Sequence, residues 1–388
     1  MKEPDSIVEN EKIRNRQLNE CFVCGTELNA TNSSDEHILL NALGGHLHSP
    51  TLLCKRCNSV FGCEFDGELA RELNFAASYL NVPRQRGKNQ TIYTNKCEEY
   101  NLLPGGKPVL KKPIVKTSSQ EIKDIIEITA RNENEARRII KELSRKNPRV
   151  DVDSALKQMK TKKEYIGKSI AINISFHAKK IYPSIIKSAV EYYLFCGGDR
   201  QKVSHILTFI EGKGDVGECC KYYYPVEPLF DISDDEIMHL LYIIGSSKDR
   251  LLYGFVSYFG IVQCIILLSD NYDGPDMEYG YGYNVITRDE KAIKPRYYLS
   301  KDSILKIVHE EYFKLTVPMR AYIQAFLRKA QNYRWSQQIE TFFSIAWDRT
   351  IGQHQKNVEI TNEMKKSFLN EFFLLASPLL AAYLFHEE

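Results

Sequence analysis

Four of the ten cysteines fall into two pairs, Cys21-Phe22-Val23-Cys24 and Cys54-Lys55-Arg56-Cys57. A Cys-x2-Cys knuckle turns tightly enough to aim two sulfurs at one ion. Two such knuckles supply the donor set of a tetrahedral, four-thiolate Zn2+ site. The 29 residues between them exceed the usual ~15–20, so a further element belongs in the gap. The other six, Cys63, Cys97, Cys196, Cys219, Cys220 and Cys264, are scattered and read as reduced residues of cores and loops.

The gap and its flanks define the elements around these cysteines. Glu36-His37-Ile38 is a short strand-like run, Gly44-Gly45 supplies a turn, and Leu52-Leu53 approaches a second strand running into Cys54. Asn58 follows the second knuckle, and Phe61, Phe65, Leu69, Leu73 and Ala77 recur every fourth position, which is one face of an amphipathic helix. Strand, loop, strand and helix follow in order, with a histidine on the first strand and an asparagine where the helix begins.

Together, Cys-x2-Cys, Glu36-His37-Ile38, Gly44-Gly45, Cys-x2-Cys-Asn58 and Phe61-Gly62 resemble the HNH endonucleases of the ββα-metal fold. The resemblance covers about residues 21–80. It implies that His37 is the general base, that Glu36 and Asn58 are the ligands of a catalytic Mg2+ or Mn2+ ion, and that Cys21, Cys24, Cys54 and Cys57 hold a structural Zn2+. Two positions depart from many members: Leu40 stands where Pro is common, and Thr51 where an Asn braces the loop. The residue types suit phosphodiester hydrolysis. A neutral imidazole with a pKa near ~6.5 can take a proton from water at cellular pH. A hard divalent ion held by oxygen donors can stabilise a phosphate oxygen and the leaving oxygen. Plainer readings stand beside these: His37 as a structural histidine, Glu36 as its orienting partner, and Asn58 as a helix cap. His46 and His48, beside the Gly-Gly turn, suit phosphate contact or metal ligation as well as the plainer role of loop histidines. Asp66 reads either as reaching the metal site or as a helix carboxylate favoured by the dipole.

Beyond the module the charge is uneven. Residues 84–180 carry 23 basic and 11 acidic side chains, in a chain whose net charge is only +2. That is the electrostatic footprint of a nucleic-acid partner or of a solvated connector. Ile122–Thr129 alternates as a strand, and Asn132 caps a helix to Lys146 that presents Arg137, Arg138 and Lys141 for phosphate contact. From Tyr165 onward the pattern predicts a strand at Ser169–Phe176 and a helix at Tyr182–Phe195. A meander follows at Ile237–Ile244, Leu251–Tyr258 and Ile261–Leu268, with another strand at Tyr279–Ile286. Helices are predicted at Ser303–Gln331, Ser336–Asp348 and Thr361–Phe385. Tyr222-Tyr223-Tyr224 and the Tyr279-Tyr281-Tyr283 run suit either base stacking or packing.

The composition, 43% hydrophobic and 26% charged, excludes wholesale disorder. The longest apolar run, Phe372–Phe385, is broken by Ser377 and Pro378 and is shorter than the ~18 residues of a membrane span. Met1–Glu20 is charged and lacks the apolar core of a signal peptide, so a cytoplasmic protein is expected. The expected fold class is α+β in three blocks. These are a nuclease module at 1–88, a basic linker with a small βα unit at 89–164, and a C-terminal domain of β-meander and helices at 165–388. That last domain would take an activating protein or ligand. The resemblance implies cleavage of DNA, with RNA as an alternative substrate and bacterial antiviral defence as a setting. The rival is a non-catalytic zinc module that binds nucleic acid or protein.

Overall fold

Every residue of the helix Ala178–Phe195 from Ile181 to Leu194 is buried, the polar Ser184, Lys187, Ser188 and Glu191 included. A helix of that kind must be wrapped on all sides, and the fold is organised around it. The computed structural model describes residues 19–120, 123–161, 166, 169–210, 214–309, 316–353 and 359–384. The charged N-terminus up to residue 18, and Ile122, Tyr165 and Phe385 of the expected elements, lie outside them. No helix among the described residues is long and apolar enough to cross a membrane.

The chain gathers into two units. One holds the described residues up to Gln90 together with Ile174–Tyr333; the other holds Thr91–Asn173 and those from Arg334 onward. The nuclease-like module and the meander, expected as separate blocks, thus share one unit. In that unit strand β1 (Ser33–His37) pairs antiparallel with β2 (His48–Cys54), placing His37 opposite His48 and Glu36 opposite Ser49, with an irregularity between Ser34 and Glu36. The connection between the strands turns at Gly44 (φ +85°), and at Gly45 a Cβ would meet the Leu39 carbonyl oxygen at 2.2 Å. Glycine is therefore required at both positions. The helix after β2 starts at Lys55 and runs to Phe61. It passes through a wider five-residue turn, Gly62–Asp66, and continues as Gly67–Glu72 and Asn74–Leu80.

The remainder of this unit is a six-stranded antiparallel sheet. Its order is 290–292, 277–284, 238–246, 251–258, 262–269, 220–222. The three central strands are the expected meander, and their buried side chains, with Phe230, Ile304 and Val308, form the core. In the second unit, hairpins Tyr100–Leu103/Lys107–Leu110 and Ile114–Gln120/Lys123–Thr129 precede the helix Glu133–Lys146. Asn132 caps that helix as expected, accepting the Glu135 N–H at 3.0 Å.

Three expected elements differ. Ser169–Phe176 alternates in exposure but joins no sheet among the described residues, because alternation without a neighbouring strand makes no ladder. The helices run Lys301–His309 and Thr316–Arg349, not 303–331 and 336–348. Pro318 sits in the first turn of the second, where its missing N–H is tolerated, and residues 332–335 contain no Gly or Pro to interrupt it.

Candidate active site and metal centre

The four knuckle cysteines converge. Their Sγ atoms all lie within 4.8 Å of one another. Gly25 N–H donates to the Cys21 carbonyl at 2.9 Å to close the first turn, and Cys54 Sγ accepts the Cys57 N–H at 3.5 Å to open the helix. Burial, then the neighbouring Cys21 thiol, push the Cys57 thiol far up. Cys24 is lowered to about 6: burial opposes this, but hydrogen bonds with Thr26, Cys21 and Cys57 together outweigh it. Sulfurs packed this closely ionise together only around a cation, and four thiolate donors are the chemistry of Zn2+. Arg200 fastens the first knuckle from outside the hairpin, donating through Nε to the Phe22 carbonyl at 2.6 Å.

On the outward face of the hairpin, three groups cluster. His37 is half-buried; its Nε2–H donates to Gln85 Oε1 at 3.0 Å, leaving Nδ1 as the basic nitrogen. Gln85 is fixed in turn by its own N–H, which donates to Asn41 Oδ1 at 2.8 Å. Burial draws His37 below the usual imidazole value, and His48 adds to this, although the Gln85 bond opposes it. The imidazole is therefore neutral at cellular pH, as a base must be. His48 stands across the ladder with ring centroids 5.5 Å apart, and its Nδ1–H donates to Asp35 Oδ1 at 2.7 Å. His46 is exposed, stacks on Tyr283 at 6.0 Å, and reaches Glu290 at 3.4 Å.

The inward face is different. Glu36, next in sequence to His37, points the opposite way and is 3% exposed. Its carboxylate accepts a bond from the Lys187 ammonium. Lys187, itself buried, also donates to Asp66 Oδ2 at 3.0 Å, and Glu191 lies 3.6 Å from it. Ser184 donates to Asp66 Oδ1 at 2.5 Å. Burial pushes Glu36 and Glu191 up, partly offset by Lys187. Lys187 is opposed by burial, but Asp66, Glu191 and Glu36 hold it charged. Asn58 lies within the first turn of the helix that starts at Lys55, so it is not the cap; its Nδ2 donates to Ser34 Oγ at 2.6 Å, leaving Oδ1 as an available oxygen donor.

The meander also grips this module. His239 Nε2–H donates to the Leu43 carbonyl at 2.9 Å, and its Nδ1 accepts the Phe259 N–H at 3.2 Å. Burial lowers its pKa to about 4, so it stays neutral and both bonds persist.

With this geometry in view, comparison with known proteins adds one finding. Residues 21–74 match the HNH endonuclease family. The HNH segment contains both knuckles, both strands and the helix after them, so it holds the cysteine cluster and His37, while Gln85 lies outside it. Neither a curated protein nor a solved structure gives a match to the chain.

The chain is thus a mixed helix and sheet protein with an HNH segment at its N-terminal end and a sheet with helices after it. The sequence pointed to His37, Glu36 and Asn58 as one constellation, and the structure sets His37 and Glu36 on opposite faces of β1. It also adds Gln85, Asp35 and Lys187, which sequence reading missed. The available signal for Lys187 was its pairing with Glu191 at i,i+4 inside an otherwise apolar helix. In the second unit, Arg137, Arg138 and Lys141 are carried on the helix Glu133–Lys146. All three are exposed to solvent, and Arg137 is also bonded to Glu133 at 2.6 Å.

Proposed function

We propose that this protein is a metal-dependent endonuclease that hydrolyses DNA phosphodiesters, with His37 as its general base. The observation that carries the reading is His37 itself: a neutral, oriented imidazole on the accessible face of an HNH hairpin. Gln85 fixes the ring, and Nδ1 takes the proton of the attacking water. Cys21, Cys24, Cys54 and Cys57 bind a structural Zn2+ that holds the hairpin to its helix. Arg137, Arg138 and Lys141 contact phosphates and position the substrate without reading sequence.

Glu36 and Asn58 Oδ1 are the side chains proposed to hold Mg2+ or Mn2+. Such an ion, when bound, stabilises charge on the phosphate and the leaving oxygen. The donor chemistry suits a hard cation, although the Glu36 carboxylate is held by Lys187. That contact suits one rival, a non-catalytic zinc module binding nucleic acid. It equally suits a nuclease held off until an activating protein or ligand engages the meander region, as in a cytoplasmic defence enzyme.

The test is plasmid nicking by the zinc-loaded chain. Mg2+ or Mn2+ should support nicking, EDTA should abolish it, and cleavage of RNA in place of DNA would redirect the substrate assignment. Binding of DNA and RNA with no cleavage of either, in any metal, would favour the rival.

A further inference from the structure

The helical stripe Ser184, Lys187 and Glu191 faces the HNH segment from outside the residues matched to the family. Lys187 Nζ sits between the Glu36 and Asp66 carboxylates, with Glu191 behind it at 3.6 Å. Side chains around this point are almost wholly excluded from water: Lys187 is 1% exposed, Glu36 4%, Asp66 13% and Glu191 0%. Three carboxyl groups therefore converge on one monovalent ammonium. The two Glu191 oxygens, moreover, have no hydrogen-bond partner. Three acidic groups thus share one cation away from any water shell, and Glu191 is the one left without a hydrogen-bond partner.

We propose that Lys187 is a built-in cation that occupies the divalent-ion position at Glu36, so that the ion binds only when this ammonium has left the carboxylate. The inference rests on the reading of Glu36 as a metal ligand and adds a competitor to it. Both cations need the Glu36 carboxylate and cannot hold it at once. An ion bound by oxygen needs donors at about 2.0–2.6 Å, and the ammonium fills that space between Glu36 and Asp66. Because Lys187 belongs to the central helix beneath the meander, any ligand or partner that shifts this helix changes the ion affinity of the HNH segment. The meander region would then govern the nuclease by way of metal binding.

Mn2+ binding, followed by the electron paramagnetic resonance of the free ion, tests this without any cleavage. The full-length, zinc-loaded chain is compared with Lys187→Met and Lys187→Arg. If the carboxylate is free in a tenth of wild-type molecules, removing the ammonium tightens apparent Mn2+ affinity about tenfold. Lys187→Met should show that gain and a larger rise in Tm on adding Mn2+, while Lys187→Arg should resemble the wild type. Adding Glu36→Gln to Lys187→Met should reverse the gain. Should Lys187→Met fold only with Mn2+ present, the ion has replaced the ammonium, and Lys187→Gln supplies the titration. Equal Mn2+ affinity in wild type, Met and Gln variants would overturn the proposal. Tighter Mn2+ binding without nicking by any variant would uphold the competition and reject the nuclease reading. Unchanged binding with normal nicking would do the reverse.

Discussion

The two faces of β1 make an instructive contrast. Outward, His37 and His48 are reachable and each is oriented by one polar neighbour, Gln85 or Asp35. Inward, Glu36 is sealed against Lys187, Asp66 and Glu191. Adjacent residues of a strand point to opposite sides, so one peptide unit separates a solvent-facing imidazole from a buried ion cluster. A half-buried base with one ring nitrogen free keeps its chemistry available but contributes little to folding. A buried cluster does the opposite, since breaking a buried ion pair is costly while the pair itself contributes modestly. The same short strand thus sets the proposed base on the reachable face and the proposed ion ligand inside a buried ion cluster.

The largest expected effect lies in the scaffold beneath both faces. Cys54→Ser with Cys57→Ser should remove about one Zn2+ per chain and unfold the HNH segment, because structural zinc contributes on the order of 10 kcal/mol. Metal analysis and circular dichroism would check it, and a folded, zinc-free double variant would remove zinc from the account. Next comes the inward face. Lys187→Ala without added divalent metal should destabilise the chain by roughly 3–5 kcal/mol, the cost of a buried ion pair broken on one side. Glu191→Gln should be nearly silent, because burial already favours the protonated acid. Denaturant titration separates the two, and equal losses would mean that Glu191 is charged.

Much of this arrangement was legible in sequence. Paired cysteines, Gly44-Gly45 and the fourfold apolar spacing gave the hairpin and helix, and the β-rich runs after Ile237, closely joined by turns, gave the meander. What was hidden depends on distance along the chain. Glu36 and Lys187 are far apart in sequence, as are Phe22 and Arg200 or Leu43 and His239, and no local pattern reports such pairs. The irregularity beside Asp35 is likewise a property of pairing, and it brings that carboxylate to His48. Ser169–Phe176 shows the converse: its pattern was right for a strand, but no ladder forms there.

A pH series sharpens the contrast further. His239 has a pKa lowered to about 4 in the folded chain, against ~6.5 unfolded. Below ~6.5 the unfolded state therefore binds more protons, and stability falls as pH drops towards 4, by about 3 kcal/mol in total. His239→Gln, which keeps a donor for Leu43 but cannot gain this charge, should flatten that slope; an unchanged slope would assign it to other groups. His37, also lowered, should act on rate instead: cleavage should decline with falling pH, with a midpoint below the usual imidazole value.

The smallest expected effect belongs to the second unit. Reversing the charges of Arg137, Arg138 and Lys141 should weaken DNA binding and reduce its salt slope by about one for each phosphate no longer neutralised. Arg137, already bonded to Glu133, should contribute least, and sequence preference should not change. Filter binding across salt concentrations would show this, and an unchanged slope would make the face merely solvated.

The most direct test compares the two faces in one nicking assay, using His37→Ala and Glu36→Gln beside the wild type in Mg2+ and Mn2+. His37→Ala should keep its zinc, fold and DNA affinity but lose roughly 10²–10⁴ in rate, the worth of a positioned general base, with no rescue by excess metal. Glu36→Gln should instead change the metal concentration that cleavage requires. If His37→Ala nicks as fast as the wild type under the same conditions, the outward face is not the reactive one, and the central claim fails.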